Sequence, residues 1–316
     1  MAGEYNLQEV IDGDVLPTFI GESIISKFAT KDIGDSGQYR YTRRQAMAGK
    51  EPAMSEYLKE LLTDTYRVED GTFQFPHVGK RIMMTTDQYK RYNKVGAMVP
   101  NNQNTGSLLA IAVDKRQVWQ DPPASGKGSE MTGKHYGLTN AGDGTVARPS
   151  IIADPGPNAA WTTANQAMLD LQEVANALIM AGFNKDTLAL FYPIQAQASV
   201  GIFNLVTGGV EGTIIEYAKK LFPAGVYPVG NDNAATPTSL MTGAVETAVN
   251  FPIVGIDMSS VIYVYNKAAQ ARLHKSEDDN MWYYDVEAQG AMVPYKVRNI
   301  GGTLYKGVCM MDACGT

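Results

Sequence analysis

Cysteine is nearly missing from this chain: among 316 residues there are two, Cys309 and Cys314, both close to the C-terminus. A disulfide-stapled secreted domain spreads more of them along its length. The pair reads as two thiols in a reducing cell, with a late bridge or a metal with further ligands as the other uses of such a pair. Histidine is almost as scarce. His77, His135 and His274 stand far apart, none in a two-ligand spacing such as H-x-x-x-H. Each reads as a structural residue, His77 between Pro76 and Val78 as part of a turn.

Other absences narrow the function. No run approaches the roughly 18 apolar residues of a membrane span. The opening MAGEYNLQEVIDGD is acidic and lacks a basic segment followed by an apolar core. A cytoplasmic chain with no membrane partner is expected. Net positive charge is also lacking: the formal charge is -6, whereas general nucleic-acid-binding surfaces need clustered Lys and Arg. No G-x-x-x-x-G-K-[ST], G-x-G-x-x-G or G-x-S-x-G occurs in the right setting. Gly126-Lys127-Gly128 and Gly208-Gly209 lack the spacing that aims backbone N–H groups at phosphate. Glu277-Asp278-Asp279 with Asn280 lacks the ligand order of a calcium loop and reads as a solvated tip. The sequence therefore offers no catalytic residue, no cofactor site and no metal site.

What is present is ordinary globular material, 44% hydrophobic and 19% charged, enough for one large core or two smaller ones. Its 31 glycines and 15 prolines are scattered as turn punctuation. Residues 1–64 look too poor in core to stand alone. They hold a short apolar run (Val15, Leu16, Phe19, Ile20, Ile24, Ile25, Phe28), a polar stretch with Arg40, Arg43 and Arg44, and a helical spacing at Leu58, Leu61, Leu62 and Tyr66. They read as an arm lying over something else.

From Tyr66 to Asp121 the period shifts toward two. Strands are expected around Phe73 and Phe75, at Arg81–Thr86, and at Leu108–Val113 with Val118 and Trp119. The polar excursion Gln88–Gly106 between them suggests a protruding hairpin. Residues 122–160 look irregular. An amphipathic helix follows from Trp161 to Ala181, with Ala164, Met168, Leu171, Ala175 and Leu178 inward. Asn158 or Thr162 can cap it and Gly182 can end it. Next come a strand Thr187–Tyr192, a helix Thr213–Phe222, a strand Val261–Tyr265 and a short helix Lys267–Leu273. Two closing strands flank Gly301-Gly302. No internal repeat is visible.

The basic groups Arg40, Arg43, Arg44, Lys90, Arg91 and Lys94 fall in these extended, polar parts. They serve solubility, or they pair with acidic faces of neighbouring copies.

The stretches YGLTNAGDG, WTTANQAMLDLQEVANALIMAGFNKDTLALFYP, EYAKKLFPAGVYPV, SSVIYVYNKAAQARL and YKVRNIGGTLYKGVCMMD, in this order, resemble the Hong Kong 97-like major capsid proteins of tailed double-stranded DNA viruses. The resemblance implies an α+β fold with an N-arm (1–64), an E-loop-like extended hairpin (65–121) and a P-domain with a long spine helix (122–193). An A-domain-like lobe (194–290) and closing strands (291–316) complete it.

It further implies a non-enzymatic subunit that self-assembles as hexamers and pentamers into an icosahedral shell around double-stranded DNA. That DNA is enclosed without sequence-specific contact, and the shell is assembled in the host cytoplasm as the virion capsid. Separate scaffolding, portal or decoration proteins are further partners of such shells. Where members cross-link Lys to Asn, Lys90, Lys94, Asn93, Asn101, Asn102 and Asn104 would supply the groups. An encapsulin-type shell packaging a cargo enzyme resembles the same fold, with Asn6–Gly13 or Ile20–Phe28 as its N-terminal helix. A cytoplasmic α+β enzyme with scattered carboxylates is the alternative from another class.

Overall fold

A computed structural model of the chain describes residues 17–34, 38–45, 68–95, 102–140, 164–197, 203–204, 212–232, 234–245, 251–276, 281–300 and 303–314. The helix α3 (Ala164–Met180) organises one half of it. Leu171, Ala175 and Leu178 are fully buried, as expected, and so are Ala167 and Val174, while Leu169, Ile179 and Met180 face out. Met168 is only half-buried, and Ala164, Trp161 and the two capping candidates lie outside the described side chains. Asp170, expected on the polar side, is buried, and the Gln166 amide one turn earlier donates to it at 2.7 Å. The inward arc is wider than a strict two-position stripe because the helix lies flat on a sheet. Gly182, at φ +81°, ends it in the left-handed conformation.

That sheet has the order β14-β9-β5-β8, with β5 (Leu188–Pro193), β8 (Gly225–Val229), β9 (Phe251–Asp257) and β14 (Val308–Cys314). β5 is buried on both faces, which is why it reads as a continuous apolar run. A Cβ on Gly255 would fall 2.6 Å from Val174 Cγ1, so glycine sets how closely α3 approaches β9. The short pair β6 (Phe203–Asn204) and β7 (Gly212–Thr213) leads into α4 (Ile214–Leu221), opened by a Thr213/Glu216 capping box. α4 packs on α3, close to the helix expected at Thr213–Phe222.

A second sheet, β1-β10-β11-β4, is built on a long antiparallel hairpin, β10 (Val261–Lys275) with β11 (Trp282–Pro294). β4 (His77–Met84) pairs with β11, and β1 (Thr30–Asp32) runs parallel to β10. The short helix expected at Lys267–Leu273 is instead the outer half of β10. Its register with β11 shifts twice between Tyr265 and Gln270, so bulges absorb the alanine-rich stretch that imitates a helix.

The strand expected at Leu108–Val113 is likewise a helix. α2 (Asn102–Val113) continues into a π-helical stretch, Asp114–Trp119, that buries Val118 and Trp119. A short, wholly apolar run has no period by which to tell a buried helix from a buried strand. α1 (Thr86–Val95) lies ahead of it, with Tyr89 stacked on Trp282 at 3.6 Å. The hairpin expected across Gln88–Gly106 is therefore replaced, where described, by the two helices.

An extended two-stranded hairpin does exist, earlier in the chain. β2 (Gln38–Gln45) pairs antiparallel with β3 (Val68–Gln74), and residues 46–67 between them, with the helical spacing at Leu58–Tyr66, lie outside the described residues. β2 also pairs in parallel with β12 (Lys296–Ile300). β12 and β13 (Thr303–Lys306) form the expected hairpin, giving the order β13-β12-β2-β3.

The first part of the chain also differs from expectation. Residues 17–34 pack on their own subunit: Phe19, Ile24, Ile25 and Phe28 are buried in the larger core, and Phe28 stacks on Phe191 at 5.6 Å. Apolar residues spaced for one face found a groove in the same chain, so this segment is no core-less arm.

Candidate assembly surfaces

No catalytic constellation emerges among the described residues, and no group of three or more His, Cys, Asp or Glu there could hold a metal. His135 is fully buried, and burial pushes its pKa down to about 4, so it is neutral at pH 7. It sits at a cleft of about 490 Å³ lined by Phe75, Pro76, His77, Arg116, Pro122 and Glu130 among others. That lining offers proton carriers but no serine, threonine or cysteine nucleophile. No helix among the described residues is long and apolar enough to cross a membrane.

The surfaces built with most care are faces and edges. On β11, residues alternate: Tyr284, Val286 and Ala288 are buried while Asp285 and Glu287 sit on the outer face. The flanking strands supply the opposite charge. Arg81 of β4 donates to both oxygens of Asp285, at 2.6 and 2.7 Å, and His274 of β10 lies 3.9 Å from the same carboxylate. His77 Nε2 is 2.7 Å from Glu287, Gln270 donates to Glu287 at 2.6 Å, and Lys267 is 3.7 Å away. The Arg81 hydrogen bonds hold the Asp285 carboxyl below its usual range. At Glu287 burial pushes up, but hydrogen bonds from Gln270 and His77 outweigh it and the net shift is down. The outer face thus holds both carboxylates in cross-strand pairs. At its hairpin end Met83 is exposed, next to Tyr283, which stacks on His274 and lies under Arg81.

Edges remain open as well. Among the described residues β4, β3 and β13 each pair on one side only. Such edges template further strands unless covered. Exposed apolar side chains add to them: Leu169, Ile179 and Met180 on α3, Ile194 after β5, and Ile20 and Val245 elsewhere.

The six cations picked from the sequence fall on regular elements rather than on loose loop. Arg40, Arg43 and Arg44 are on β2, where Arg43 registers with Glu69 and Arg44 with Val68. Lys90 and Arg91 are exposed on α1, which also carries Lys94. The structure places each trio on one element. The outer-face pairs of β11 were missed. Alternation in WYYDVEAQ was the available signal.

No family model matches the chain, and no curated protein does. Solved structures do. A virus-like particle from Pyrococcus furiosus superposes with a TM-score of 0.60 at 10% identity, covering 98% of this chain and 100% of its own. The capsid of Myoviridae Phage XM1 gives 0.57 at 10% identity over 92% and 90%, and a structure from Mycobacterium phage Bobi gives 0.57 at 15% over the same shares. The fold is therefore α+β and Hong Kong 97-like.

Proposed function

We propose that this chain, which has the fold of capsid subunits, is a major capsid protein that assembles with copies of itself into a closed icosahedral shell around double-stranded DNA. The observation that carries this reading is the extent of the match: 92% of this chain superposes on 90% of a phage capsid subunit. Physical features support it. Open edges, exposed apolar side chains on α3 and a paired strand excursion at β2–β3 need partners, and symmetric copies provide them. The cations Arg40, Arg43, Arg44, Lys90, Arg91 and Lys94 are proposed to meet acidic faces of those copies, and the net charge of -6 keeps the wall from adhering to the packed genome. No enzymatic turnover belongs to this role.

Within it, β2–β3 with residues 46–67 serves as the E-loop. The hairpin β10–β11 with β4 and α2 forms the P-domain body, and β5, β8, β9 and β14 with α3 and α4 form the A-domain-like lobe. Assembly takes place in the host cytoplasm. Negative-stain microscopy of the purified protein tests the proposal: closed shells of uniform diameter are expected. A chain that stays monomeric at high concentration and under capsid-assembly conditions would overturn it. Shells filled with a protein rather than with DNA when isolated from the native source would replace the genome by a cargo.

A further inference from the structure

We propose that residues 19–28 form a strap latched to the body of their own subunit by one buried carboxylate, Asp114, and that the latch loosens as this carboxylate loses its proton. The Ser23 hydroxyl donates to Asp114 Oδ1 at 2.6 Å and the Ile24 N–H to Oδ2 at 3.0 Å. Ser23 also caps the 3-10 turn Ile24–Lys27 by accepting from the Ile25 N–H at 3.3 Å, so the turn and the latch share one hydroxyl. Phe19, Ile24, Ile25 and Phe28 close over the site, and Asp114 is 4% exposed.

Among the described residues no cation offsets the charge of Asp114. The neighbouring Lys115 pairs with Asp232 at 2.8 Å, and Arg116 donates to the Asp121 carbonyl. From the strap, Lys27 lies over the Tyr227 ring. From β10 the facing group is the Tyr263 phenol, which donates to Gln117. From β11 the inward titratable group is Tyr284, the acids of that strand lying on the opposite face. α2, the remaining element packed there, brings no titratable side chain among its described residues.

Burial is the main influence on Asp114 and raises its pKa from 3.8 to about 7, outweighing the hydrogen bonds from Ser23 and Ile24. Lifting the strap admits water and returns the group to its ordinary range. The docked form therefore holds the proton more tightly. Docking is strongest where Asp114 is protonated in both forms, below 3.8, weakens as pH rises from there to about 7, and is flat above. The protonated carboxyl still fits: its O–H donates to Ser23 Oγ while its other oxygen accepts from Ile24.

Hydrogen exchange of the full-length protein between pH 5 and 8, corrected for intrinsic rates, tests this. The Ile24–Phe28 amides should lose about tenfold or more of their protection as pH rises to 7, while Leu188–Pro193 keeps its own. Asp114→Asn, which preserves shape and both contacts, should make strap protection independent of pH. Flat protection in the wild type, the same slope in Asp114→Asn, or parallel loss in Leu188–Pro193 would overturn the proposal.

Discussion

Gln117 is fully buried, yet its amide is fully used: Nε2 donates to the carbonyls of Pro76 at 2.8 Å and Ala288 at 3.0 Å, and Oε1 accepts from the Tyr263 hydroxyl at 2.6 Å. One side chain thus joins the π-helical stretch to β10, β11 and the β3–β4 link. Gln117→Leu strands all three partners. At about 1–3 kcal/mol for each buried polar group left unsatisfied, a loss of about 3 kcal/mol or more is expected in urea unfolding of disassembled subunits. Tyr263→Phe removes one donor and should cost about 1 kcal/mol. The outer-face carboxylates give a pH signature. Asp285 and Glu287 are held low in the folded state, so their contribution is present above the ordinary carboxylate range and is lost as pH falls through their folded values. Acid unfolding of Asp285→Asn/Glu287→Gln should accordingly show a shallower loss of stability below pH 5 than the wild type. None of these roles was legible in the sequence. Gln117, Asp114 and Asp170 look like ordinary polar residues there, because the partners that make burial tolerable for Gln117 and Asp114 lie tens to hundreds of positions away.

At the scale of elements, strong periodicity was legible and short apolar runs were not. α3 announces itself because its polar and apolar residues alternate at helical spacing over several turns, and β5 because Gly182 and Pro193 bracket it. Leu108–Val113 lacks polar residues to set a phase, and its helical state follows from contacts with β4 and β11. Lys267–Leu273 carries helix-favouring side chains, but pairing with β11 overrides that preference. The two faces of α3 can be separated by experiment. Leu171→Ala, at a fully buried position, should cost about 2–5 kcal/mol. Leu169→Ala, which is 52% exposed, should change subunit stability by no more than about 0.5 kcal/mol, while lowering the yield of shells if α3 meets a neighbouring copy. Equal effects on stability would mean that the helix is rotated from the orientation described.

For the molecule as a whole, the family resemblance carried the fold where local patterns failed, since the order of segments survives errors about single elements. The strand excursion was the largest displacement: expected at Gln88–Gly106, it is realised at β2–β3. Replacing residues 46–67 with a short turn should leave the melting transition of the subunit intact and abolish closed shells by sedimentation. Unchanged shells would leave the excursion without a role in assembly. The sheets themselves have a further property. Each of the three four-stranded sheets takes strands from both sides of residue 250: β1 and β4 join β10 and β11, β2 and β3 join β12 and β13, and β5 and β8 join β9 and β14. A chain still emerging from the ribosome therefore holds none of these four-stranded sheets complete until the strands beyond residue 250 have been synthesised. Cooperative folding must await those strands, and a product truncated near residue 250 lacks half of each four-stranded sheet. In the proposed shell, unfinished copies would in this way be barred from incorporation by topology, before any surface is tested for fit. A particle of many identical subunits gains from that, because one defective copy built into a lattice compromises all its neighbours.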